Sequence, residues 1–168
     1  KKVVISAPAT GDLKTVVFNV NHNILDGSET IISCASCTTN NVGPVIEIIN
    51  RRIGIRKAIL NTVHAYTASQ TLIDAPSKRE PRMGRAAAIN LAPASTGAAI
   101  AVTKAIPELA GKFDGVAIRT PVPVVSISDI TFVSTKETSV EEVNRILIEE
   151  SKTNRYKLVL SISDEPLV

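Results

Sequence analysis

One stretch, Thr30-Ile-Ile-Ser-Cys-Ala-Ser-Cys-Thr-Thr-Asn-Asn-Val-Gly-Pro-Val-Ile-Glu-Ile-Ile-Asn50, limits what this chain can fold into more than any other. Its first residues, through Ser33, are a short β-branched run that reads as a strand. Its second half places Val42, Val45, Ile46, Ile48, Ile49 and Ile53 close to helical spacing. Between them lies Ser36-Cys37-Thr38-Thr39-Asn40, small residues whose side chains accept from free backbone N–H groups and so favour a helix start. Pro44 is compatible with a helix only in its first turn, which predicts a start very near Cys37. A thiol there meets unpaired N–H groups and the positive end of the helix dipole, both of which favour thiolate. A nucleophile is the natural reading.

The other elements follow from the same patterns. Lys2–Ser6 and Thr15–Val20 read as strands around a Pro8/Gly11 turn, and 21–28 as a turn through Asp26-Gly27. The helix from Cys37 ends by Gly54, and Ile55–Tyr66 reads as a long strand ending near His64. From Thr67 to Pro93 there is little periodicity beyond a short helical patch near Thr71–Ile73 and an Ala-rich piece at Ala86–Asn90. Irregular segments of this length are uncommon in compact domains unless functional or disordered. Thr96-Gly97 opens an Ala-rich helix closed by Pro107; Gly115–Arg119 and Val124–Ser134 are strands. Val140–Ser151 is an amphipathic helix with a Ser139/Glu142 capping box, and Leu158–Ser161 a last strand. Several joints are too short for helical crossovers, which predicts an α+β fold with a mixed, largely antiparallel sheet.

Composition narrows the function classes. Hydrophobic content of 44% and charged content of 21% describe an ordinary globular chain. A net charge of +3, mixed along the sequence, with 3% aromatics and no Trp, gives no argument for nucleic acid. No run approaches a membrane span and no signal segment opens the chain. The two cysteines cannot make a multi-bridge framework, so a reducing, cytoplasmic compartment is expected. The opening on a strand pattern and the abrupt Glu165-Pro-Leu-Val168 end read as a piece of a longer protein.

Cys37 needs a base, because an unperturbed thiol titrates near ~8.5. His22 sits in a turn beside Asn21 and Asn23; His64, at a strand end, can lie beside the helix start. A Cys–His pair from separate elements is a recognised nucleophile and base, although a lone histidine at a strand end is also an ordinary hydrogen-bonder. Cys34 and Cys37 form a C-x-x-C, but a zinc site needs a second pair, so no metal is expected and Cys34 reads as a small buried residue. Ala94-Ser-Thr-Gly-Ala98 is a second loop-to-helix junction able to hold an anion, or an ordinary cap. Arg119 ends an apolar strand, where burial calls for an anionic partner. Lys78, Arg79, Arg82 and Arg85 cluster in the irregular segment, as a binding patch or a solvated loop.

Taken together, Ser33-Cys-Ala-Ser-Cys-Thr-Thr-Asn40, Thr62-Val-His-Ala-Tyr-Thr67, Pro93-Ala-Ser-Thr-Gly-Ala-Ala99 and Arg119-Thr-Pro-Val-Pro123 resemble the phosphorylating glyceraldehyde-3-phosphate dehydrogenases, in order and over essentially the whole chain. The resemblance implies a catalytic domain over 37–168 with helices on one face of its sheet, preceded over 1–36 by the last strands of a Rossmann domain. It implies Cys37 as the nucleophile on the aldehyde and His64 as the base. Thr67 and Arg119 match the site for the substrate's phosphate; Ser36, Thr96 and Gly97 match the site for inorganic phosphate. The substrate is then a phosphorylated triose, the cofactor NAD or NADP, and the parent protein a homo-tetramer in which the Thr67–Pro93 loop lies at the subunit core.

Two positions depart from that pattern. Asn41 stands where many members carry a second cysteine, and Met83 where some carry an arginine at the inorganic-phosphate site. The glycine-rich turn and the acidic ribose contact of a dinucleotide domain do not occur in the sequence, so the main cofactor surface is expected outside it and this piece is expected to be inactive alone. Three other readings compete: an erythrose-4-phosphate dehydrogenase, a nucleotide-independent Cys–His acyl-transferase or hydrolase, and a non-catalytic, self-associating fragment.

Overall fold

Ser36 starts the first long helix as its side-chain chemistry requires. In the computed structural model, which describes residues 1–78 and 80–167, Ser36 Oγ accepts from the backbone N–H of Thr39 at 3.0 Å, and the helix α1 runs Cys37–Arg52. Gly54 ends it in the left-handed region, φ 89°, with its N–H on the Ile49 carbonyl at 3.0 Å. A Cβ there would collide with Thr135 Oγ1, so only glycine fits.

Two sheets flank this helix. Strands β1 (Val3–Ile5) and β2 (Ile31–Ser33) form a parallel pair at the N-terminal end. The main sheet contains β3 (Ile55–Ala65), β4 (Ala92–Ser95), β5 (Phe113–Thr120) and β6 (Ser126–Ser134) in the order β4-β5-β3-β6. β3 pairs parallel with β5 and antiparallel with β6, and β4 pairs antiparallel with β5. The sheet is therefore mixed and largely antiparallel, and the fold is α+β, as the short joints predict.

Alternation along the strands separates two faces. Leu60 on β3, Phe113 and Ala117 on β5 are buried toward the helices; Ile59, Val116, Ile127 and Val133 stand exposed on the other face. Helices α1, α2 (Ala98–Ala105) and α3 (Val140–Ser151) supply the rest of the core: Val42, Ile46 and Ile49 from α1, Val102 from α2 and Ile146 from α3, with Tyr156 fully buried beyond. Gly115 lets this layer close, since a Cβ there would press on the Leu60 carbonyl at 3.0 Å. Among the described residues, no helix is long and apolar enough to cross a membrane.

Several sequence expectations are corrected. Pro44 stands eight residues into α1 rather than in its first turn. The Asn40 carbonyl loses its helix donor there, but Asn40 is exposed and water can serve it. Thr15–Val20 makes no strand: only Thr15 bridges to Ser33, while Val16 and Val17 are buried and Val17 lies against Gly43 of α1. Leu158–Ser161 has no strand partner among the described residues; the chain turns there, with Val159 and Leu160 donating back to the Tyr156 carbonyl. Among the described residues of 67–91 there is no helix at Thr71–Ile73 but a single 3₁₀ turn, Pro81–Gly84. It folds on itself through Thr71 to Met83, Ala75 to Gly84 and Ala87 to Thr71 backbone bonds of 2.8–3.0 Å. In its basic cluster Arg85 pairs with Asp74 at 2.9 Å and Arg82 with Glu80; Arg79 lies outside the described residues.

Candidate active site

Cys37 is the first residue of α1 and is exposed, so its sulfur projects beside the unpaired N–H groups of that turn. β3 lies in the sheet beneath α1 and carries His64 as its second-last residue, on the face that bears Leu60 and Thr62. The result is a direct approach: Cys37 Sγ is 3.4 Å from His64 Nε2. β5 runs parallel to β3 in a register that sets Arg119 opposite His64. Its guanidinium Nη1 reaches His64 Nδ1 at 2.7 Å and donates to the Ala65 carbonyl at 3.2 Å. His64 Nδ1 is also 2.7 Å from that same carbonyl.

The start of α2 closes the other side. Thr96 Oγ1 accepts from Ala98 N at 3.1 Å and holds the turn, and Gly97 precedes the helix at φ −80°, a value open to any residue. Nothing lies within 4 Å of where a Gly97 Cβ would stand, so the glycine leaves clearance rather than meeting a need of the backbone. These elements enclose a pocket of about 200 Å³, in which Cys37, His64 and Arg119 meet Ser36, Thr96 and Gly97. Among the described residues, Cys37, His64 and Arg119 are its only charged or titratable side chains, and hydroxyls make up much of the remaining polar wall.

Six of the seven expected site residues thus converge. Thr67 does not line the pocket: it lies two residues past β3, with its hydroxyl 2.9 Å from Ser69 Oγ and its N–H on Gln70 Oε1 at 3.3 Å. His22 stands apart in a short 3₁₀ turn, accepting from Asn19 N at 3.1 Å. Sequence reasoning missed Thr39 and Thr62. Thr39 Oγ1 is 2.7 Å from Ser36 Oγ, and Thr62 carries a buried hydroxyl without a hydrogen-bond partner at the pocket wall. Period-two spacing from His64 was the available signal for Thr62.

Fold and pocket define an α+β domain that presents a cysteine–histidine pair, one arginine and a ring of hydroxyls at the starts of two helices. The family model described as glyceraldehyde 3-phosphate dehydrogenase, C-terminal domain, matches residues 36–168, and the chain belongs to that family. It is 51% identical over 150 residues to the glyceraldehyde-3-phosphate dehydrogenase of Clostridium acetobutylicum, covering 89% of this chain and 45% of that protein. The enzyme of the same name from Zymomonas mobilis is 46% identical over 169 residues, 100% of this chain and 50% of that protein. That from Streptococcus pyogenes is 50% identical over 145 residues, 86% and 43% respectively. The chain spans about half the length of the curated relatives it matches.

Proposed function

We propose that the protein to which this chain belongs oxidises glyceraldehyde 3-phosphate, with inorganic phosphate, to 1,3-bisphosphoglycerate. The observation that carries this reading is the 3.4 Å approach of Cys37 Sγ to His64 Nε2 inside a pocket that holds one guanidinium and two helix starts. The sulfur attacks the aldehyde carbon to give a thiohemiacetal, and its backbone N–H, with His64, stabilises the oxyanion. His64 takes the hydroxyl proton as the carbon is oxidised to a thioester on Cys37. A phosphate oxygen then attacks the thioester carbonyl, the carbon–sulfur bond breaks, and the acyl phosphate leaves with Cys37 restored as thiolate.

Arg119, the one permanent cation among the described residues that line the pocket, binds the substrate's phosphate, with Thr67 the weaker candidate because its hydroxyl is engaged by Ser69. Ser36, Thr96 and the Gly97 backbone receive the attacking phosphate at the two helix starts. Met83, buried in the neighbouring loop, adds no charge to that site. NAD or NADP supplies the hydride acceptor when bound. This chain's residues fit only its reactive end: a second cleft of about 150 Å³ shares Pro8, Gly97 and Ala101 with the pocket, and among the described residues no acidic side chain lines either. We infer that 1–36, with its parallel strand pair, closes a dinucleotide-binding domain and that 37–168 is the catalytic domain. The exposed apolar sheet face around Ile59, Val116 and Ile127 supports assembly of copies, read as a homo-tetramer, in the cytoplasm.

The test is an assay of the full-length protein with glyceraldehyde 3-phosphate, phosphate and each nicotinamide cofactor, beside erythrose 4-phosphate as the competing aldehyde. Cofactor reduction that depends on phosphate and vanishes in Cys37→Ser is expected. Turnover that survives Cys37→Ser overturns the reading; ester hydrolysis without any cofactor reduction moves it to the acyl-transferase class.

A further inference from the structure

Two polar groups of residues that line the pocket are buried and have no hydrogen-bond partner among the described residues: Thr62 Oγ1 and Arg119 Nε. A buried hydroxyl without a partner costs stability, and at a binding site that cost is offset when a ligand supplies the partner. Thr62 is only 1% exposed, so bulk solvent does not serve it. The hydroxyls at the two helix starts are already engaged. Ser36 Oγ accepts from Thr39 N at 3.0 Å and lies 2.7 Å from Thr39 Oγ1; Thr96 Oγ1 accepts from Ala98 N at 3.1 Å.

The sheet register sets Thr62 between the two halves of the site. Residues on the helix-facing side recur at every second position, so successive rows lie about 7 Å apart along the strands. In one row His64 on β3 faces Arg119 on β5; in the next Thr62 faces Ala117, and in the third Leu60 faces Gly115. Thr96 stands over that third row, with its Cγ2 3.4 Å from where a Gly115 Cβ would be. Thr62 and Ala117 therefore form the floor between Thr96 and the Cys37–His64 pair, and both line the pocket. Ala117 offers a methyl alone. Ser128, opposite Thr62 on β6, is the rival partner: its Oγ is also buried and unpartnered among the described residues, but it does not line the pocket.

We propose that the Thr62 hydroxyl is a further binding group for the attacking inorganic phosphate, donating to the oxygen that points down to the sheet. Ser36 meets the phosphate from the start of α1, and Thr96 and the Gly97 backbone meet it from the start of α2. A contact from the floor fixes the rotation of the anion and leaves one oxygen directed at the thioester carbon. That oxygen bonds to the carbon, the carbon–sulfur bond breaks, and Cys37 departs as thiolate; the Thr62 proton stays on its own oxygen throughout. Thr62 therefore acts on the release of the acyl group and not on its formation. This role rests on the reading of Cys37 as a thioester carrier released by phosphate.

Kinetics of the full-length protein with glyceraldehyde 3-phosphate and a nicotinamide cofactor test it. Steady-state assays read KM for phosphate and KM for the aldehyde separately, and rapid mixing without phosphate reads the first oxidation. Thr62→Val keeps the shape and removes an unpaired hydroxyl, so its melting temperature should not fall. Its KM for phosphate should rise roughly tenfold to a hundredfold, the scale of one hydrogen bond to a charged group, with KM for the aldehyde unmoved. Thr62→Ser, which keeps the hydroxyl and loses a methyl, should stay close to the wild-type KM for phosphate, as should Ser128→Ala. An unchanged KM for phosphate in Thr62→Val overturns the proposal and leaves the thioester reading standing. A parallel rise in both KM values, or an equal rise in Ser128→Ala, also overturns it, because the hydroxyl then supports the sheet rather than the anion. A wild-type protein with no first oxidation and no phosphate-dependent turnover removes the thioester reading, and the role of Thr62 falls with it.

Discussion

Cys37 and His64, 27 residues apart in sequence, meet at 3.4 Å because a helix start and a strand end reach the same edge of the sheet. Cys34, three residues before Cys37, has a different setting. Its backbone N–H is bound to the Ile5 carbonyl at 2.8 Å and its own carbonyl accepts from Asn40 Nδ2 at 2.7 Å, outside the helix. Cys37 is therefore expected to react first with iodoacetamide at neutral pH. Peptide mapping after brief labelling checks it, and prior modification of Cys34 would sink the assignment.

Gly97 should be dispensable for folding and needed for the anion. Its backbone conformation suits any residue, and a Cβ meets nothing within 4 Å. Gly97→Ala is expected to leave the melting temperature within experimental error while weakening use of inorganic phosphate, read as a raised KM for phosphate. An unchanged KM would take Gly97 out of the phosphate site.

Tyr156 ties the far end of α1 to the segment after α3. It is fully buried and its hydroxyl donates to Glu47 Oε2 at 2.5 Å; Glu47 also pairs with Arg51 at 3.0 Å and Arg155 at 3.1 Å. Arg155 in turn donates to the Asn19 carbonyl at 2.6 Å. Tyr156→Phe keeps the packing and loses the hydroxyl, at a cost of about 1–2 kcal/mol. Tyr156→Ala adds a cavity and should cost about 3–5 kcal/mol. Urea unfolding checks the order; equal losses would mean that the hydroxyl contributes most of the effect.

Glu150 sets an acid limit on stability. Hydrogen bonds from Arg51 at 3.0 Å and Arg52 at 2.7 Å hold its carboxyl below its ordinary value of 4.5, against the opposing effect of burial. Below pH 4.5 the unfolded chain binds this proton more readily than the folded one. The contribution is therefore complete above that pH and is lost as pH falls through the depressed folded value. Glu150→Gln should lower stability at pH 7 and flatten its fall between pH 4.5 and the acid unfolding point. Denaturant titrations across that range would show parallel curves if the pair did not matter.

What could be read from the sequence was local. The Ser36 cap, the Cys37 helix start, the long β3 and the Ser139 cap of α3 depend on neighbouring residues, and they formed; Ser139 Oγ accepts from Glu142 N at 3.2 Å. Tertiary contacts decided the rest. Val16 and Val17 have a strand composition, yet they are buried in irregular backbone just before the turn at 18–20 rather than paired along a strand. Leu158–Ser161 has the apolar residues of a strand, but among the described residues no strand pairs with it. β4, with Pro93 at its centre, looks like a break in sequence; β5 accepts it in register from Ala92 to Ser95. In the site, Cys37, His64 and Arg119 were legible as residue types, but the parallel pairing of β3 with β5 that sets Arg119 opposite His64 was not.

Acylation should be separable from oxidation. Forming a thioester from an activated ester asks for a nucleophile, a base and an oxyanion site, the roles proposed for Cys37, His64 and the start of α1 around one pocket of about 200 Å³. Oxidation also requires the hydride acceptor held in near-attack geometry, positioning that can supply as much as ~7–11 kcal/mol. An aryl acyl ester should thus acylate Cys37 in the 168-residue chain with no pyridine nucleotide present, giving one acyl group per chain by mass spectrometry. His64→Ala should slow that step by about 10²–10⁴-fold, the usual worth of a positioned base, while circular dichroism reports an unchanged fold. Cys37→Ser should abolish the adduct at that mass and leave Cys34 unlabelled. Acylation that proceeds as fast in His64→Ala as in the wild type would mean that the helix start alone activates the thiol and that His64 acts only in the oxidation step.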